Sequence, residues 1–178
     1  MSNGMHHTNH HINHHQSGFT LLEVLITVII LSIGILGLAG LQFNALRSNQ
    51  NAAQSTIAAL QLIDAADRLR GNLTGANNGD YDELAGGGED PGCISTGCTR
   101  QQLAQYDAWS WNNQITALPG GEGIICLDST PNDGNSSTEP VCDGALTGGL
   151  QIFAAKIWWD DDRNPETPRR RQTMSITP

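Results

Sequence analysis

Gly18-Phe19-Thr20-Leu21-Leu22-Glu23-Val24-Leu25-Ile26 opens a run that continues through Thr27-Val28-Ile29-Ile30-Leu31 to about Leu41. From Phe19 to Leu41 it carries one formal charge, Glu23. Its roughly 23 residues suffice to span a bilayer core as a helix at ~1.5 Å per residue. A carboxylate in such a segment costs about 2.5–3.5 kcal/mol at the helix centre and less toward the interface. A charge kept there implies a function and a partner.

Ahead of the run lies a polar stretch with three histidine pairs, His6-His7, His10-His11 and His14-His15. Metal binding and a purification tag are two readings of it, and a disposable hydrophilic leader is the preferred one. Through residue 18 there is no Asp, Glu, Lys or Arg. The Lys/Arg excess that usually holds a segment on the cytoplasmic side is therefore missing, and partly protonated histidines replace it weakly. In a secretory signal the small cleavage-site residue follows the apolar region. Here Gly18 precedes it. A cut after Gly18 keeps the helix and gives Phe19 a free amine. Glu23 is four residues on, one helical turn along the same face. That amine, or a neighbouring subunit's, neutralises the carboxylate, and in low dielectric the pair sets axial register between packed helices.

A polar leader, a glycine and then Phe-Thr-Leu-Leu-Glu-Val before an apolar run resembles the prepilin signature of the type IV pilin superfamily. The matching residues are Gly18, Phe19, Thr20, Leu21, Leu22, Glu23 and Val24. The resemblance implies that a prepilin peptidase cuts between Gly18 and Phe19 and methylates the new amine. It implies that Glu23 supports assembly with other pilins through the N-terminal helix. The expected organisation is a leader over 1–18, a transmembrane and assembly segment over 19–41, and a periplasmic pilin-like domain over 42–178. Such a protein sits in the inner membrane and passes into a pilus at the cell surface. Major pilins usually carry proline near the place of Gly40, so the glycine points to a minor pilin or a pseudopilin. Gly34, Gly37 and Gly40 also form a small-residue face for close helix approach, each lowering helix propensity by about 1 kcal/mol.

Beyond Leu41, apolar residues Leu46, Ala53, Ile57, Leu60, Ile63, Ala66 and Leu69 recur mostly at steps of three and four. The spacing predicts an amphipathic continuation of the same helix, from about Phe19 to Arg70, with this stripe against a sheet. Its length is roughly 78 Å at the standard rise. Gly71-Asn72 is a stop signal. Residues 71–99 read as loop with little to offer a core. A shorter helix over 100–117 places Leu103, Tyr106, Trp109, Ile115 and Leu118 on one face, and Leu118-Pro119-Gly120-Gly121 ends it. Strands are expected at Gly123–Leu127, Leu150–Trp159 and Arg171–Thr177, with a polar loop over 128–149. Trp158 and Trp159 point to opposite faces, one to the core and one half-buried or in contact with a partner. The fold class is α+β: a long helix on a small antiparallel sheet of three or four strands. The Trp-containing helix before Leu-Pro-Gly-Gly, the cysteine strand and the Trp-Trp hairpin are similar to the C-terminal pattern of PilV-type minor pilins.

Little apolar sequence remains for this domain, so its core is thin and covalent staples help. Cys93, Cys98, Cys126 and Cys142 follow the membrane segment and allow three pairings. An oxidising compartment makes them disulfides, and proximity in sequence favours Cys93–Cys98 and Cys126–Cys142. The second loop adds about 3 kcal/mol in the chain-entropy view. Zinc is the poorer reading, because these are not the tight pairs of a zinc ribbon and no histidine follows His15.

No catalytic set emerges. With no histidine beyond the leader, the usual general base is missing from the rest of the chain, and there is no Gly-x-Ser-x-Gly, P-loop or dinucleotide fingerprint. No cofactor is expected. Asp160, Asp162 and Asn164 alternate as in an EF-hand, but Pro165 replaces its glycine and Arg171 its closing glutamate; an irregular calcium site at Asp160–Asp162 is one reading, and a solvated turn with no metal is the preferred one. The net charge of −9 argues against a grip on nucleic acid. The sequence therefore reads as a minor pilin acting in type IV pilus assembly and function, motility or adhesion. The rivals are a pseudopilin of type II secretion, a membrane-anchored module for surfaces or DNA uptake, and, least supported, a tethered enzyme.

Overall fold

A computed structural model describes residues 18–85, 88–144, 146–147, 150–164 and 166–178. The histidine-rich stretch and Pro165 lie outside the described residues. The chain divides into two compact units between Leu46 and Arg47. Helix α1 covers Leu21–Gly71, with the stop where Gly71-Asn72 places it. The long helix and a small four-stranded antiparallel sheet make the expected α+β, pilin-like architecture.

In the second unit α1 buries Ala58, Leu62, Ala65, Ala66 and Leu69. The expected stripe is rotated: Leu60 and Ile63 stay 60% and 48% exposed. Alanines at 58, 65 and 66 allow the backbone to approach its neighbours, a closeness that bulky Leu60 and Ile63 would prevent.

After α1 come α2 (Leu73–Asn77), strand β1 (Leu84–Ala85) and α3 (Cys93–Thr96). This segment is not poor in core residues: Ala76 and Tyr81 are fully buried. Asn72 caps α2 by accepting from Gly75 N at 3.3 Å and ties it to the start of the helix that begins at Arg100 by donating to Arg100 O at 2.8 Å. Cys93 and Cys98 form a disulfide around α3.

Helix α4 (Arg100–Ile115) starts at a complete capping box between Thr99 and Gln102. Its buried face is Ala104, Asp107, Ala108, Trp111 and Ile115. The expected Leu103, Tyr106 and Trp109 are only half-buried, and the rings of the last two tilt together 5.9 Å apart. Trp111 decides the rotation. Its indole donates to Gln61 O at 2.7 Å. Opposite it, Gly123 leaves the space, since a Cβ there would stand 2.8 Å from the Trp111 ring.

The sheet adds β2 (Glu122–Leu127), β5 (Phe153–Trp159) and β6 (Arg170–Ile176), in the order β1-β2-β5-β6. The expected strand over 150–159 is broken at Ile152; β4 (Leu150–Gln151) pairs instead with β3 (Leu146–Thr147). All seven residues of β5 are buried. Phe153, Ala155, Ile157 and Trp159 enter the main core, while Trp158 clusters with Ile124 and Cys126 on the other face. Neither tryptophan is half-exposed, because residues 128–144 fold over the second face as a strap. Trp158 donates to Gly134 O at 3.3 Å, Arg171 to Asn132 O at 2.7 Å, and Cys126–Cys142 closes the strap covalently.

A buried polar network joins α1, α4 and the loop. Tyr81 donates to Asp107 Oδ2 at 2.5 Å, and Arg68 bridges Asp64 and Asp107 at 2.7 and 3.4 Å. Burial pushes the Tyr81 phenol well above its ordinary range, and the Asp107 carboxylate beside it adds to the shift. Burial also raises Asp107, against the opposing pull of Tyr81 and Arg68. The folded state therefore holds the Asp107 proton more tightly than the unfolded chain. That contribution is full below the unfolded carboxylate pKa and is lost as pH rises through the folded one. Tyr81→Phe is expected to cost about 1–3 kcal/mol at neutral pH, by removing a donor from a buried carboxylate. The loss should shrink in acid, where Asp107 is protonated. Denaturant titrations at neutral and acidic pH check this, and equal losses at both would contradict it.

Candidate functional site

Among the described residues of the N-terminal unit, Gly18, Phe19 and Thr20 come first, outside the helix and all exposed. Phe19 is 80% exposed, and a Cβ on Gly18 would meet nothing within 4 Å. The Gly18–Phe19 bond thus lies in open, non-helical backbone.

Thr20 is the residue from which α1 starts. Its carbonyl accepts from Glu23 N at 3.0 Å and Val24 N at 3.3 Å, and its hydroxyl oxygen accepts from Glu23 N at 3.3 Å. These are the bonds of an N-cap, and Glu23 occupies the N3 position. The order Thr20-Leu21-Leu22-Glu23 is also a capping-box pattern, a signal present in the sequence that assigns Thr20 a structural role. Phe19 precedes the cap and lies outside the helix, so it does not share the helical face of Glu23 as an i, i+4 step would require. A carboxylate in the first turn is favoured by the helix dipole. Among the described residues none forms an ion pair with Glu23.

The rest of the unit is an uncovered apolar surface. Among the described residues one helix, α1, is long and apolar enough to cross a membrane, and the apolar window within it has no buried residue. Between Val24 and Leu41 the polar side chains are Thr27 and Ser32. Each hydroxyl donates within the helix, to Val24 O at 2.8 Å and to Val28 O at 2.6 Å. These are closures a lipid environment requires. Gly34, Gly37 and Gly40 have open space where a Cβ would stand, so a second helix can approach there.

The cysteines belong to the second unit, where Cys93 is joined to Cys98 and Cys126 to Cys142, with Cα separations of 4.9 and 6.2 Å. Asp160, Asp161 and Asp162 cluster, but their bonds build the turn. Asp161 pairs with Arg170 at 2.8 Å, and Asp162 accepts from Asn164 N at 2.9 Å and from Thr167 at 2.8 Å. Lys156 was not foreseen from the sequence. It is fully buried against Asp128 and Asp133, and its one signal was a lysine inside an apolar strand.

Residues 13–39 match the family model described as the prokaryotic N-terminal methylation motif. No curated protein and no solved structure matches the chain. The motif supports a type IV pilin-type protein, pilin or pseudopilin, anchored by one N-terminal apolar helix.

Thr20→Ala is expected to weaken the first turn by about 0.5–2 kcal/mol. Amide hydrogen exchange in detergent should quicken at Glu23 and Val24 and stay unchanged over Ala58–Leu69.

Proposed function

We propose that the chain is a minor pilin, of the PilV-like kind, that is processed at the inner membrane and enters or primes a type IV pilus. The observation that carries this reading is an open Gly18–Phe19 bond followed, within about one turn, by Glu23 at the head of an uncovered apolar helix, with no ion pair among the described residues. Residues 1–18 are the leader, 19–41 the membrane and assembly segment, and 42–178 the periplasmic domain. Prepilin peptidase cuts after Gly18 and methylates the Phe19 amine. That cut removes the chain before the cap and puts a positive charge beside Thr20 and Glu23. Lipid and a bundle of pilin helices are equally apolar, so transfer between them is decided by the remaining polar group. Glu23 is that group. Pairing with the Phe19 amine of its own or a neighbouring subunit fixes axial register.

Gly40, at a place where major pilins usually have proline, supports a minor subunit and equally a pseudopilin of type II secretion. Loss of twitching or adhesion in a deletion strain favours the first, and loss of secretion the second.

Glu23→Ala should be cleaved normally, shown by a mature chain starting at Phe19 in mass spectrometry. It should be depleted at least tenfold from sheared fibres. Equal recovery of variant and wild type in the fibres would refute the assembly role of Glu23.

A further inference from the structure

Lys156 is the chain's sole lysine, and its side chain has no solvent exposure. Its Nζ lies 2.5 Å from Asp128 Oδ2, on a carboxylate that is also fully buried. The same nitrogen lies 2.6 Å from Asp133 Oδ1, 2.8 Å from Pro140 O and 3.5 Å from Asp133 O. One amine therefore meets two carboxylates beneath the strap, opposite Ile124 in the ladder. Thr130 completes the group. Its N–H donates to Asp128 Oδ1 at 2.9 Å, and its hydroxyl lies 3.4 Å from that oxygen and 2.9 Å from Asp133 Oδ2.

We infer that Lys156 and Asp128 condense into an intramolecular amide, with Asp133 carrying the proton and Thr130 holding the carboxyl oxygen. Proton transfer across the ammonium–carboxylate contact turns the ion pair into an amine and a carboxylic acid, replacing two buried charges with none. With Nζ 2.5 Å from Oδ2, the amine stands directly beside the carboxyl group that it attacks. The amine lone pair attacks Cγ, and negative charge gathers on Oδ1, where the Thr130 N–H serves as an oxyanion donor. Asp133 takes the surplus proton from Nζ and returns it to Oδ2, which departs as water. The Nζ–Cγ bond forms, the Cγ–Oδ2 bond breaks, one water is released, and no redox partner is needed. The surroundings of Asp133 fit it for this proton transfer. Burial opposes its ionisation, but bonds from Lys156 and Thr130 hold its carboxyl below the usual range, so it stands ionised 2.6 Å from the amine whose proton it takes. The amide ties the central strand β5 to the residue after β2, and anchors the strap independently of Cys126–Cys142.

The full chain, purified in detergent without reductant, provides the test. Its intact mass should be lower by one water than the chain with two disulfides. After denaturation an amine-reactive probe should label only the N-terminal amine, because the sole lysine is consumed. A digest should yield a branched peptide joining Lys156 to Asp128. Asp133→Asn should restore the full mass and a labelled Lys156, with both disulfides retained. A wild-type chain of full mass whose Lys156 labels after denaturation overturns the proposal and leaves an ion pair only. Water loss that persists in Asp133→Asn overturns the role of Asp133. The wild-type mass decides the bond whether or not that variant folds.

Discussion

The helix from Leu21 to Leu46 satisfies its own backbone and leaves its side chains to find cover elsewhere. Its hydroxyls close on carbonyls one turn back, and its large apolar side chains are uncovered. At roughly 25 cal/mol per Å² of apolar surface, water is excluded as the working solvent for such a segment. Lipid and other helices both supply the cover, and dispersion and close packing at the glycine face separate them only modestly. The carboxylate separates them more sharply. In lipid Glu23 stays near the interface or finds a cation; within a helix bundle a cation at the right height becomes a register mark. The N-cap at Thr20 matters here because it fixes where the first turn begins, and so how high Glu23 stands.

The second unit solves a different problem, a core too thin for its size. It does so by covering the central strand β5 on both faces. Helices α1 and α4 supply one cover with apolar side chains. The strap supplies the other with almost none, being rich in Asn, Asp, Gly, Ser and Thr. Its order comes from polar complementarity. Backbone carbonyls of Asn132, Gly134 and Pro140 accept from Arg171, Trp158 and Lys156, and Glu122 accepts from Ser137 N at 3.2 Å. Each of those carbonyl-binding donors projects from the sheet, so carbonyls that a loop would otherwise leave to water are bound when it docks. Such a cover depends on a few strong contacts rather than area, and removing one donor costs more than removing one apolar neighbour.

The apolar run, the helix stop at Gly71 and the strand parity around Trp158 and Trp159 were legible because each is a periodic or punctuating signal. Helix rotation was not. Pattern reading weights large side chains, which placed Leu60, Ile63, Leu103, Tyr106 and Trp109 inward. Close packing preferred Ala58, Ala65, Ala104 and Ala108, with Leu62 and Trp111 as large inserts that the pattern did not place. Small residues set how near elements come, and nothing in hydropathy marks an alanine as a contact. Tyr81 and Lys156 were missed for a related reason. Each is buried only because a partner distant in sequence, Asp107 or Asp128, satisfies it, and such pairing has no local signature. At the candidate site the order of Gly18, Phe19 and Glu23 was readable, whereas the displacement of Phe19 outside the helix depended on the cap.

Charge bears on the rival reading as a polyanion-binding module. The chain has nine basic residues. Lys156, Arg68, Arg70, Arg169 and Arg170 are engaged with carboxylates. Arg171 is spent on strap carbonyls. Arg47, Arg100 and Arg163 form no ion pair among the described residues. A nucleic-acid backbone needs a run of uncommitted cations, each displacing counterions. These three are separated in sequence and outnumbered by exposed carboxylates, so recruiting the others would mean undoing the contacts that hold the strap and the hairpin. The basic residues of this chain serve its own architecture first.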